Sequence, residues 1–201
     1  MTSIGEITRG LTGAWRIVKR EESARECFDL SADGAVRSFT ALVLSLPLAF
    51  LSATALWRIA QSELDVSFDV SFGSFMIAEM ASTLIYWALF LLAMLRIARV
   101  LDLGANYTAY LITYNWGVLL TSAVFAVPLI LYSLGALPAG GAMLLSMPAL
   151  FLLGWYRWQI ARTVLGAEPG PAAAILVFDF VLNFSIGQLL GALFLTGGSP
   201  A

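Results

Sequence analysis

The sequence predicts an all-α membrane protein: a polytopic helix bundle of five spans preceded by an amphipathic helix at the membrane interface. Three observations carry that expectation. Of the 201 residues, 60% are hydrophobic and only 12% charged, with a mean hydropathy of +0.86, far from the mixture of a soluble domain. Five apolar runs are each long enough to cross a hydrocarbon core of about 30 Å. The basic residues also gather on one side of those runs, as they do in multi-pass proteins.

The N-terminal segment, residues 1–33, is expected to be cytoplasmic and amphipathic. Ile4, Ile7, Leu11, Trp15 and Val18 recur at three- and four-residue spacing, while Arg9, Arg16 and Arg20 fall on the opposite side. Such a stripe suits a helix lying on the membrane surface with Trp15 among the headgroups; the alternative is a helix packed on the membrane domain itself. Gly10 and Gly13 each weaken it by about 1 kcal/mol relative to alanine, so contact with lipid or protein is needed to form it. The segment has no continuous apolar core, and no secretory signal is expected.

Residues 34–201 are assigned to the membrane domain. Ser31 and Asp33 are candidate caps for the first span, 39–57, whose uncharged stretch 39–56 makes about 27 Å of helix. The later spans are 75–95, 109–132, 137–155 and 172–195. Pro47, Pro128 and Pro148 fall inside three of the five, each removing one backbone donor. Between the first two spans, residues 64–72 alternate apolar and polar side chains. This reads as a loop resting its Phe and Val side chains on the interface, or alternatively as an edge strand.

All of the 11 Lys and Arg residues except Arg58 lie before the first span, between the second and third, or between the fourth and fifth. That bias places the N-terminus in the cytoplasm and the tail 196–201 outside, with the cell inner membrane as the expected location. With that direction, hairpins 75–132 and 137–195 look like parallel repeats about an axis along the membrane normal. Leu89-Phe90-Leu91-Leu92 matches Leu150-Phe151-Leu152-Leu153, Arg96 matches Arg157, and Arg99 matches Arg162. Gly104 matches Gly166, and Tyr114-Asn115-Trp116 matches Phe178-Asp179-Phe180. Convergence on the needs of any inward-turning hairpin is the alternative.

Ionisable groups inside spans cost a few kcal/mol to insert and are candidate sites by default. Asp179, deep in the fifth span with Asn183 one turn later, is the stronger of two. Asn115 lies at a similar depth, so an Asp179–Asn115 hydrogen bond locking the hairpins is the structural expectation, with proton or substrate handling as the alternative. Glu79 lies near the outer end of its span, where headgroups or water can reach it. Gly187 and Gly191, spaced for close helix approach, serve packing inside the monomer or between copies. Trp155, Tyr156 and Trp158 around Arg157 read, with Trp15, as membrane-interface anchors.

With no histidine and the single Cys27, zinc, haem and histidine-based catalysis lose their usual groups. There is no Gly-x-Ser-x-Gly elbow or phosphate loop, and only one deep aspartate where a protease dyad needs two. The expectation is no enzyme, no catalytic residue, no cofactor and no metal. A net charge of -2 argues against nucleic acid, leaving the lipid bilayer and a protein partner or second copy as partners.

A cytoplasmic N-terminal segment, five spans and a short far-side tail together resemble the Yip family of Ypt-interacting membrane proteins. Members linked to vesicle traffic carry Asp-Leu-Tyr-Gly-Pro before the first span; here Asp29-Leu30 continues as Ser31-Ala32-Asp33, matching at two positions. The resemblance implies a non-enzymatic scaffold or membrane-shaping protein. A small transporter or proton-coupled permease using Asp179 is the alternative function.

Overall fold

A computed structural model describes residues 3–63 and 71–195. It contains α1 (Ile4–Val18), α2 (Ala32–Glu63), α3 (Phe72–Val100), α4 (Tyr107–Ser133), α5 (Ala139–Gln159) and α6 (Pro169–Leu195). A 3-10 turn, Glu22–Cys27, follows α1; another, Gly104–Asn106, precedes α4; a π-helical segment, Ile160–Leu165, prolongs α5. All five helices from α2 onward are long and apolar enough to span a membrane, which makes this a multi-pass helix bundle. The alternating stretch lies outside the described residues except at Ser71 and Phe72, and the tail 196–201 lies wholly outside them.

Local chemistry sets the helix ends. Ser31 caps α2 as expected, its Oγ accepting from the Gly34 N–H at 3.0 Å. The boundary drawn at residue 33 therefore falls inside a helix. Ser71 caps α3 in the same way, accepting from Ser74 N at 3.0 Å. Gly166 stops the π segment at φ 84°, a left-handed conformation that glycine adopts without strain. In the other hairpin it is Asp102, not Gly104, that turns left-handed, at φ 57°. The two matching glycines thus do different work.

α4 is the centre of the bundle. It has the longest set of buried side chains, including Tyr110, Ile112, Thr113, Tyr114, Asn115 and Trp116, and packs against α2 on one side and α5 on the other. α3 packs mainly on α6, whereas contact within each hairpin, α3 with α4 and α5 with α6, is light. A two-fold exchange of hairpins would map the α3–α6 pair onto the α5–α4 pair. The result is two layers, α2/α4/α5 and α3/α6, with a gap between them.

α1 is docked on protein: Ile7, Leu11 and Val18 of the hydrophobic stripe pack against the core, but the most buried positions are ones the stripe did not mark. Its buried residues are Gly10, Gly13, Ala14 and Ile17, while Ile4 is 84% and Trp15 46% exposed. The glycines that weaken the isolated helix admit its neighbours: a Cβ on Gly10 would lie 2.3 Å from the Trp116 ring, and one on Gly13 2.6 Å from Phe28. Arg37 of α2 fastens the assembly, donating from Nε to Glu6 Oε1 at 2.9 Å and pairing also with Asp29. Hydrogen bonds from Ser31, and then the charge of Arg37, hold the Asp29 carboxyl below its ordinary value. Gly10→Leu is expected to lift α1 and cost about 1 to 3 kcal/mol by overpacking. Faster tryptic cleavage at Arg20 and Arg25 would report it, and Trp15→Glu, at an exposed position, should leave cleavage near the wild-type rate.

Candidate functional site

The hydrogen bond expected between Asp179 and Asn115 is not made, because α6 faces α3 and α5 whereas Asn115 on α4 faces α2 and α3. Asn115 accepts from Trp87 Nε1 at 3.2 Å and donates to Ser38 Oγ at 2.9 Å; Ser38 in turn donates to the Ala35 carbonyl at 2.7 Å. The amide is fully buried and bonded on both ends, which fixes the rotation of α2, α3 and α4 about one another.

Asp179 pairs instead with Arg157, a residue assigned from sequence to the basic turn. α5 does not end at residue 155 but runs through Gln159 into the π segment, which draws Arg157 inside the bundle. Its Nη1 lies 3.1 Å from both carboxylate oxygens, and the two residues are 9% and 7% exposed. Tyr86 of α3 donates its hydroxyl hydrogen to Asp179 and accepts from Arg157 Nη1 at 3.3 Å. With that hydrogen committed, Tyr114 must be the donor in its 3.2 Å bond to the Tyr86 oxygen. The guanidinium also stands 4.0 Å over the Tyr114 ring, which stacks at 5.0 Å on Phe90. Four helices therefore converge on one ion pair in the interlayer gap.

Above this pair the gap widens into a cavity of about 670 Å³, within the ~300–1,000 Å³ range of sites that bury small molecules. Its walls are largely apolar, with Leu42, Val118, Phe125, Leu153 and Leu176 among them. Leu150 of α5 and Val177 and Phe180 of α6 line it and are also 51%, 62% and 73% exposed. The mouth therefore opens between α5 and α6, toward lipid. Asn183 reaches the same cavity. The hydrogen bonds that Arg157 makes to Asp179 and Tyr86 both leave from Nη1, and Arg157 lines the cavity floor.

The other sequence candidates lie elsewhere. Glu79 is exposed near the far end of α3 and takes no part in the cluster. Gly187 is exposed, and among the described residues nothing lies within 4 Å of a Cβ built on it, so it packs against no described helix; Gly191 is half-buried. Tyr156 is not an interface anchor. It is 1% exposed, donates to the Thr113 carbonyl at 2.6 Å, and lies against Gly117. Trp155 is 37% exposed and ties α5 to α1 by donating to the Val18 carbonyl at 3.0 Å, while Trp158 packs against the core. The sequence does hold a signal for Arg157: no glycine or proline interrupts the chain between Trp155 and Gly166, so the helix could be extended far enough to submerge it.

No family model matches this chain, nor does any curated protein or solved structure.

Proposed function

We propose that the chain is a non-enzymatic interaction protein of the bacterial inner membrane, Yip-like in layout and cytoplasmic at its N-terminus, whose bundle captures a membrane-dissolved amphiphile. One observation carries the reading: the cavity is bordered by exposed Leu150, Val177 and Phe180 and reaches a densely packed core at the Arg157–Asp179 pair. Arg157 and Asp179 line it, and toward the cytoplasmic ends of the helices from that pair lie Phe90, Met94, Tyr110 and Ile160, each less than 2% exposed. A pocket that opens to lipid and meets a packed core suits capture rather than passage. Its floor is neutral overall and so favours a head bearing an uncharged carbonyl or hydroxyl oxygen over a second carboxylate. With Arg157 removed from the loops, Arg58 still stands alone against the remaining basic residues, which supports the orientation.

The pocket also reaches an intramembrane carboxylate, and that observation favours the second reading, a proton-coupled permease using Asp179. Leu153→Trp, which fills the cavity from its wall, separates the two when combined with uptake measurements. For capture, native mass spectrometry of gently extracted protein should show an amphiphile adduct that the variant loses without a lower melting temperature. Proton-linked solute uptake in proteoliposomes, with no adduct on the wild type, would overturn capture and install the permease.

A further inference from the structure

A second crevice, of about 540 Å³, lies at the α1 end between the Glu22–Cys27 turn and the junction of α5 with its π segment. Arg20, Arg25 and Arg162 line it, and none of the three meets a carboxylate among the described residues. Arg20 stacks 4.4 Å over the Trp155 ring, Arg162 donates to the Ala167 carbonyl at 2.6 Å, and Arg25 is exposed. Of the two acids on the rim, Glu21 is already engaged by Arg16 at 3.4 Å and Lys19 at 3.8 Å; Glu22 is exposed. Gln159, 3% exposed, also lines the crevice, and its Nε2 is a buried donor with no acceptor among the described residues. Arg20 itself is held at φ 61°, unusual for a residue with a side chain.

A planar guanidinium set with an amide donor nearby is the chemistry that receives phosphate oxygens. The surface next to the crevice says which phosphate. From Trp158 on its wall, Trp155, Phe151, Met147 and Leu144 follow at three- and four-residue steps up α5, exposed by 37%, 80%, 49% and 72%. This apolar stripe begins where the arginines end and runs along the membrane-facing side. We propose that the crevice binds the phosphate of an anionic phospholipid whose acyl chains lie along that stripe, bridging the N-terminal segment to α5. Basic pockets between helices at this level are suited to such headgroups.

The test uses the full chain in mild detergent, with phosphatidylglycerol, phosphatidylcholine and inorganic phosphate as probes at equal concentration, read by native mass spectrometry and thermal shift. Phosphatidylglycerol should be retained and should raise the melting temperature. Arg25→Gln/Arg162→Gln should weaken retention by roughly twenty-fold, on the order of fivefold per guanidinium removed. The control Arg9→Gln/Arg58→Gln, which removes the same charge elsewhere, should leave retention unchanged. Equal loss in the control, equal retention of phosphatidylcholine, or equal protection by inorganic phosphate would each overturn the lipid site, the last in favour of a soluble anion. If the double variant does not purify, Arg25→Gln alone decides, because that side chain is exposed and no described contact depends on it.

Discussion

Asp179→Asn is expected to destabilise the protein by about 3 to 5 kcal/mol, because it leaves the Arg157 guanidinium buried without its counter-charge. The amide still accepts from Tyr86, so the loss is one of charge rather than of shape. Arg157→Met/Asp179→Leu removes both charges and should recover most of that stability, since an apolar pair of similar volume is often neutral or better than a buried ion pair. Thermal unfolding of the single and double variants in detergent measures the coupling. A wild-type melting temperature for Asp179→Asn would mean the pair is not formed in the folded protein. The double variant has a second use: if it folds normally yet loses the amphiphile adduct, the pair acts in capture as well as in stability.

Gly117→Ala should cost about 1 to 3 kcal/mol for a single methyl group. The added carbon would stand 1.9 Å from Tyr156 Cε1 and 2.5 Å from Cζ, distances that ring cannot concede while its hydroxyl is bonded to the Thr113 carbonyl. α4 and α5 must then separate where the central helix is most tightly packed. Tyr156→Leu in the same chain should return part of the loss, so that the two substitutions together cost less than their sum. Equal melting of Gly117→Ala and the wild type would falsify the close crossing.

How much of this was legible in the sequence depended on whether a feature was local. The five spans were, because a run of apolar residues long enough to cross a bilayer has few other uses. So was the Ser31 cap, which needs only the next three residues. Asp179 was visible as an acid in an apolar run, but its partner was not. Arg157 looked like a turn residue because the end of α5 is set by packing and by a π segment that periodicity does not announce. Asn115 was placed at the right depth and given the wrong partner, since depth follows from residue count while the direction a side chain faces follows from how helices pair. α1 shows the same limit from the other side. A stripe of large apolar residues can be counted, but the value of Gly10 and Gly13 as a docking face exists only once Trp116 and Phe28 are opposite them.

The cross-helix hydrogen bonds described above lie in the α1-proximal half of the bundle: Tyr156 to Thr113, Trp87 through Asn115 to Ser38, and Tyr86 with Arg157 around Asp179, joined there by Tyr107, which donates to the Leu91 carbonyl at 2.7 Å. Toward the opposite end, the hydroxyls of Thr54, Thr121, Ser133 and Ser146 turn back onto carbonyls of their own helices. Among the described residues, side-chain hydrogen bonds between helices are therefore concentrated at the α1 end, and the opposite end is joined by apolar packing of Ala55, Ile59, Leu129 and Ala139. The mouth between α5 and α6 opens beside the Arg157–Asp179 tie, so the last polar bond between those two helices among the described residues stands at the entrance to the cavity.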